Sequence, residues 1–390
     1  MRKGFIFGSV VVALLLLSCN NQGKVTNKGK ELYRNEYVIE KESVKEFALD
    51  DETSDYVGYL QLIDRGQDEV LAFVNSRSNS IYFYNYTTME YEGKIQYDKE
   101  GQNGVSKMQA FLYINKDSIF TYSYNVNILF LTNSEGKVLD KYKLFEMPTD
   151  LSQGLLPAPY VQTSTPLRKV GDNIICMGFE PAETSYETET NRPVACILNT
   201  ISKEVKYAIN YPKQYAEYNW GGGFAYRMPY FDVNSRGEVV VSFAAENDIL
   251  VYSILDESLT GYYAGSYQID KISSFNFPKD VPIDEAKAKD WYLSNSAYQN
   301  IIYDKYRNIY YRIARLPLGD DAVKDVRKKP IKIIILDEHF TYQGEVKLDE
   351  SKRYNLNNCF ASEEGLNIQF FTDDEDKISF YVYSFKEDEK

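Results

Sequence analysis

Six times between Asp68 and Lys386 the chain repeats one pattern. A turn bearing Asp, Asn or Gly leads into a run that alternates Tyr, Phe, Ile or Val with polar residues. A polar turn and a second such run follow, and usually a third. The copies begin at Asp68, Asp117, Asp172, Gly237, Arg307 and Gly365, and the third and fifth carry long hairpin tips. A shorter apolar run precedes each copy, as at residues 108–114 and 230–233. Period-two alternation marks strands, and recurrence at a near-constant spacing sets the architecture. Four strands per unit and six units predict an all-β fold, a six-bladed β-propeller of four-stranded antiparallel blades. The sixth copy stops soon after Phe385, one strand short, while residues 37–49 offer a spare strand ahead of the first copy. That N-terminal strand is expected to close the ring, because an unpaired edge invites aggregation. One helix is expected, at residues 284–293, between the fourth and fifth units.

The first residues give an address. Met1 to Lys3 are basic and residues 4–17 are almost wholly apolar, too short for a comfortable membrane span of roughly 20 residues. Leu16-Leu17-Ser18-Cys19 resembles the bacterial lipobox, so residues 1–18 read as a lipoprotein signal peptide. Cys19 then becomes the lipidated first residue of the mature chain. Residues 19–36 are expected as a lipidated tether, polar and flexible from Asn20 to Lys30, with the propeller at 37–390. The first acidic residue behind Cys19 is Glu31, which favours a periplasm-facing protein of the bacterial outer membrane over a surface-exposed one. A net charge of -13 argues against nucleic acid as a partner. Cys176, Cys196 and Cys359 lack metal spacing and read as buried small hydrophobes, a Cys176–Cys196 bridge being the alternative.

"MPYFDVNSRGEVVVSFAAENDILVYS" resembles an NHL-type repeat in Pro229, Asp232, Gly237 and the runs around Val240 and Val251, without the Asn-His-Arg element that names it. With the lipobox, the chain is similar to the TolB-like six-bladed propeller lipoproteins of Bacteroidetes, a family of unknown function. The resemblance covers roughly residues 50–390; it implies a fold and no activity.

Chemical motifs are sparse. His339, the single histidine, sits in a turn, so no HExxH zinc site is available. Asp232 to Gly237 matches the opening of a calcium loop, but Arg236 and Phe243 stand where oxygen ligands belong, which leaves a blade turn. Asp373 to Asp376 is a charged hairpin tip. No cofactor and no metal is expected. An axial-channel metal could draw on Gln109, Gln153, Asn295, Asn300, Asn355, Asn357 and Asn358, a set poor in carboxylates. A hydrolase or lyase with a metal-assisted channel site is therefore the alternative reading. The favoured one is a non-enzymatic binding module for a peptide, glycan or protein partner. Its ligand is expected at the channel mouth, on Tyr160, Trp220, Arg227, Tyr298 and Tyr354. Trp220 would supply a stacking face and Arg227 a forked donor.

Overall fold

A computed structural model describes residues 23–30, 35–145, 156–179, 192–220, 224–275, 284–319 and 324–388. Six antiparallel sheets follow one another along the chain. Blade one comprises Leu60–Asp64, Glu69–Asn75, Ser80–Asn85 and Tyr91–Gln96. Blade two comprises Ala110–Asn115, Ser118–Ser123, Ile128–Thr132 and Val138–Lys143. Blade four runs from Tyr230–Val233 through Glu238–Ser242 and Asp248–Ser253 to Leu259–Tyr263. Blade five runs from Ala297–Asp304 through Ile309–Arg315 and Ile331–Leu336 to Tyr342–Lys347. The protein is thus an all-β six-bladed propeller of antiparallel sheets, with the first strand of each blade lining the axis.

Blade six has three strands from the C-terminal end, Tyr354–Ser362, Gly365–Phe370 and Lys377–Glu387. Its outer strand is Tyr37–Ala48, which pairs with Lys377–Glu387 from Tyr37 opposite Glu387 to Ala48 opposite Lys377. The two ends of the chain therefore share one sheet.

Burial follows from stacking. The middle strands are covered on both faces by neighbouring blades, so Ile331–Leu336 is buried at every position. Outer strands are covered on one face, and Tyr91–Gln96 reads exposed and half-buried by turns. Turns between third and fourth strands are closed by side chains: Asn85 Oδ1 accepts from the Thr87 and Thr88 amides at 3.0 and 2.9 Å. Asn133, Asn199 and Asp337 repeat the device. Such side chains mimic a backbone turn, which is why the repeat carries Asn or Asp there.

Arg312, on the second strand of blade five, is wholly buried. Its Nε donates to Ser242 Oγ at 3.0 Å, Nη1 to the Asn247 and Ala264 carbonyls, and Nη2 to those of Phe243 and Glu246. The guanidinium also stacks on Tyr298, 3.9 Å from the ring centre. Burial pulls it down to about 10 from its ordinary value. All five donors being used, one side chain locks blade five to the hairpin tip of blade four.

Three features depart from the sequence reading. Residues 23–30, expected within a flexible tether, are docked. Lys24–Thr26 pairs with Lys271–Ser273, and the Asn27 side chain donates to the Ser266 and Ile269 carbonyls. The glycines read as flexible are sites of close approach: a Cβ on Gly23 would enter the Tyr218 ring, and one on Gly29 the Tyr263 ring. Beyond them, Glu36 bridges Glu345 on the outer edge of blade five before the chain enters blade six. Second, short helical turns at Gln214–Glu217 and Phe224–Arg227 flank the triglycine stretch, beside the expected helix, Glu285–Ser294. That helix is N-capped by Asp284, which accepts from the Ala286 and Lys287 amides. Third, the inner strand of blade three is interrupted, as described below. Cys176, Cys196 and Cys359 are buried free thiols, Cys176 lying directly opposite Cys196.

Removing residues 37–48 would expose the full edge of Lys377–Glu387. Denaturant melts of this truncation are expected to show a large loss of stability together with aggregation. A melt matching that of the intact protein would show the pairing to be dispensable.

Candidate functional site

Two parts make up the candidate site: a rim on the loop-bearing face and the axial channel beneath it. First strands begin on that face and second strands end there, so the connections between blades and the long hairpin tips gather on one side. The tight Asn and Asp turns occupy the other.

The channel is obstructed by blade three. On the inner side only Ala158–Pro159 and Arg168–Val170 ladder with its second strand, Asn173–Phe179. The Tyr160 amide still donates to the Met177 carbonyl at 2.9 Å, and residues 161–167 then leave the sheet and cross the axis. Pro166 has no amide to give a ladder, and Gln162, Thr163, Ser164 and Thr165 make their own contacts. Thr165 Oγ1 donates to the Tyr160 carbonyl at 2.7 Å, and Gln162 Nε2 donates to Ser164 Oγ at 2.8 Å. Thr163 Oγ1 accepts from the Leu60 amide of blade one at 3.0 Å and donates to Asn358 Oδ1 of blade six at 2.6 Å. Asn358 Nδ2 donates onward to the Val57 carbonyl and Gln369 Oε1. The Leu167 amide donates to the Tyr59 hydroxyl, whose pKa burial pushes up to about 12. This segment is a plug.

Beside the plug lies a cavity of about 220 Å³ lined by blades one, three, four, five and six. Among the described residues that line it, Asp232 is the one carboxylate. Its Oδ1 accepts from Arg168 Nε at 2.7 Å, and its Oδ2 from the Tyr303 amide at 3.0 Å, so three blades meet at one carboxylate. Burial works against the Arg168 charge, but Asp232 outweighs it and holds the guanidinium above its ordinary range. Arg168 keeps about a third of its side chain open to the cavity. Nearer the opposite face Lys305 pairs with Asp64 at 2.5 Å, and Tyr306 donates to Glu69, so blade five reaches over to blade one.

The amides considered as metal ligands hold strands together. Gln109 donates to the Val161 carbonyl of the plug, Asn300 to the Leu356 carbonyl, and Asn355 to Gln369. Asn295 accepts from the Ser273 amide, and Asn357 is exposed. Gln153, like Cys19, lies outside the described residues. Among the described residues no three His, Cys, Asp or Glu side chains gather as a metal group.

The five rim residues singled out from the sequence do not come together. Tyr160 and Arg227 do, both against Phe179: Tyr160 lies 5.5 Å from that ring centre, and the Arg227 guanidinium 5.2 Å. Trp220 is buried instead, its indole N–H donating to the Gln214 carbonyl and its ring stacked on Tyr226. Tyr298 is buried under Arg312, donating to Asn247 Oδ1. Tyr354 is buried too, its hydroxyl 2.8 Å from that of Tyr383. A shared place in the repeat puts such residues on one face, but their rings turn inward to seal neighbouring blades.

Two tyrosines the sequence reading passed over complete the rim. Tyr56, 70% exposed, and Tyr124, 42% exposed, stand near Tyr160. Burial raises the Tyr160 phenol, and the Tyr56 and Tyr124 phenols raise it further. Their signal in the sequence is placement: Tyr56 leads into an inner strand and Tyr124 sits on a hairpin tip. Tyr56 also borders a second cleft of about 570 Å³, whose lining includes Asp50, Asp51, Glu52, Asp55, Glu375 and Asp376 together with Arg77.

A six-bladed propeller with a plugged axis and an aromatic rim is the class of protein that this fold and site define. The chain belongs to the family described as a domain of unknown function (DUF4221), whose model matches residues 36–347. It is similar to the crystal structure of a member of that family from Bacteroides vulgatus, with 23% identity and a TM-score of 0.72 over 91% of this chain and 100% of that one. A protein of Bacteroides fragilis, provisionally named as exported, aligns with 11% identity and a TM-score of 0.54 over 90% of this chain and 97% of its own. At these identities the likeness is one of fold. No curated protein matches the chain.

Because Asp232 joins three blades, Arg168 and Asp232 should be energetically coupled. A double-mutant cycle of Arg168→Ala and Asp232→Ala, read by denaturant unfolding, is expected to give roughly 1–2 kcal/mol of coupling. Additive effects would show that the pair does not join the blades.

Proposed function

We propose that this protein is a membrane-anchored, non-enzymatic binding module that takes its ligand on the rim of the loop-bearing face. Lipidation of Cys19 would hold it at the outer membrane, facing the periplasm. The exported Bacteroides fragilis neighbour supports an envelope location. The observation that carries the binding reading is the rim itself: Tyr56 and Tyr124 stand exposed beside Tyr160, over a channel closed by the protein's own chain. Exposed aromatic rings cost solubility unless something covers them, and they supply contact area with little loss of rotamer freedom. Within the channel cavity the one lining carboxylate is already engaged by Arg168, which favours binding over metal-assisted hydrolysis there.

Of the ligand classes open from the sequence, a polypeptide segment bearing Lys or Arg fits best. Its apolar or aromatic side chains would meet the rim, and its cationic groups the cleft lined by Asp50, Asp51 and Asp55. A carboxylate-bearing ligand would be repelled by that flank. The test is a binding screen of basic peptides, acidic peptides and glycans against wild type and a Tyr56→Ala/Tyr160→Ala variant. A basic peptide is expected to bind with marked salt dependence and to lose roughly tenfold or more in affinity in the variant. Binding that survives both changes in a folded protein would place the site elsewhere. Preferential binding of glycans or acidic peptides would overturn the ligand class.

A further inference from the structure

The segment that follows Cys19 has a second use beyond anchoring. Three residues, 20–22, separate Cys19 from Gly23. Gly23 is already fixed, its carbonyl accepting from the Ser274 amide at 2.8 Å. Four residues of extended chain span at most about 14 Å, so an acyl chain on Cys19 has almost no slack. A Gly- and Ser-rich tether several times longer would let the domain tumble; this one cannot.

The docked ribbon has two unlike faces. Val25 stands opposite Ile272, and the pair turns inward, Ile272 being wholly buried. Lys24 and Thr26 point the other way, with Lys271 directly opposite Thr26, and all three are exposed. Lys28 follows, also exposed. Lys30 is paired with Asp270, but among the described residues Lys24, Lys28 and Lys271 enter no ion pair. Across the ring from blade four, blades six and one border the cleft of six carboxylates. A chain of net charge -13 thus shows bare lysines at the point where the anchor leaves it, and concentrates acid on the far side.

The geometry points to a fixed seat on the membrane, in which the exposed face of the Lys24–Thr26/Lys271–Ser273 ribbon rests on anionic lipid headgroups with blade four lowermost and blades six and one outermost. The inference rests on the reading of Cys19 as the lipidated residue and adds the orientation. Lysines near an anionic leaflet are drawn to it, and repulsion of the acidic cleft acts in the same sense. The ribbon belongs to the connection between blades four and five, on the rim's own face, but the rim tyrosines of blades one and two lie toward the far side of the ring and stand clear of the bilayer.

The test uses full-length protein, isolated from membranes and reconstituted into phosphatidylcholine–phosphatidylglycerol vesicles. A thiol-reactive fluorophore is placed at Thr26→Cys or, on the same face at the hairpin tip of blade one, at Ser76→Cys; both positions are exposed, and the three native cysteines of the propeller are buried. Lipid-borne quencher is expected to dim the Thr26 probe roughly threefold more than the Ser76 probe. Inserting about twelve Gly-Ser residues between Gln22 and Gly23 should leave that difference standing at low salt and reduce it at high salt. Equal quenching of the two probes in protein that carries lipid on Cys19 would overturn the seat alone. Absence of lipid labelling at Cys19, with a Cys19→Ala variant fractionating as wild type does, would overturn the anchor and the seat together.

Discussion

Pairing between the two ends of the chain is the constraint on which the rest depends. A propeller blade is covered only when both its neighbours are in place, so the ring has no stable partial form with two open sheet edges. Tyr37–Ala48 against Lys377–Glu387 ties the first ordered strand of the propeller to the last. Every interblade feature described above presupposes that tie: the Arg312 lock, the Thr163–Asn358 bond and the three-blade junction at Asp232. The belt goes further back than the outer strand, through Glu36 on the edge of blade five to the ribbon on blade four. Half of the ring is thereby bound by residues that precede the first repeat.

Much of the fold was legible because its determinants are local. Alternation marks a strand and an Asn or Asp marks its turn, and both recur in each copy, as at Asn85, Asn133 and Asn199. The helix at residues 285–294 was legible from its Asp cap and uninterrupted run. The plug was not read, although a signal existed. Where other blades have an apolar run such as Ala110–Asn115, blade three has Gln-Thr-Ser-Thr-Pro, a stretch unsuited to a central strand. The docked ribbon was misread for a related reason. Gly23 and Gly29 suggest flexibility in one dimension, and only the fold shows the Tyr218 and Tyr263 rings against them.

The site was legible in part. Position in the repeat sends Tyr160 and Arg227 to one face, where both pack against Phe179. It does not say which way a side chain turns, and the interiors of adjacent blades claim Trp220, Tyr298 and Tyr354. Arg312 could have been suspected as a charge in the middle of a strand that is otherwise apolar and aromatic up to its last residue, Arg315. Its hydrogen-bond partners, however, come from outside its own blade and from more than forty residues away in every case. Long-range pairing of that kind leaves no local trace.

The interrupted strand of blade three has a consequence for recognition. Six similar blades around an axis would present nearly the same surface after each sixth of a turn, and a ligand at the centre could settle in several equivalent poses. Residues 161–167 end that equivalence, since among the described residues one blade alone sends its chain across the middle. They also set Tyr160 on one side of the opening and leave blades five and six without a counterpart. The ring therefore has a bearing, as a compass has, and whatever docks on its face meets a surface with a single heading.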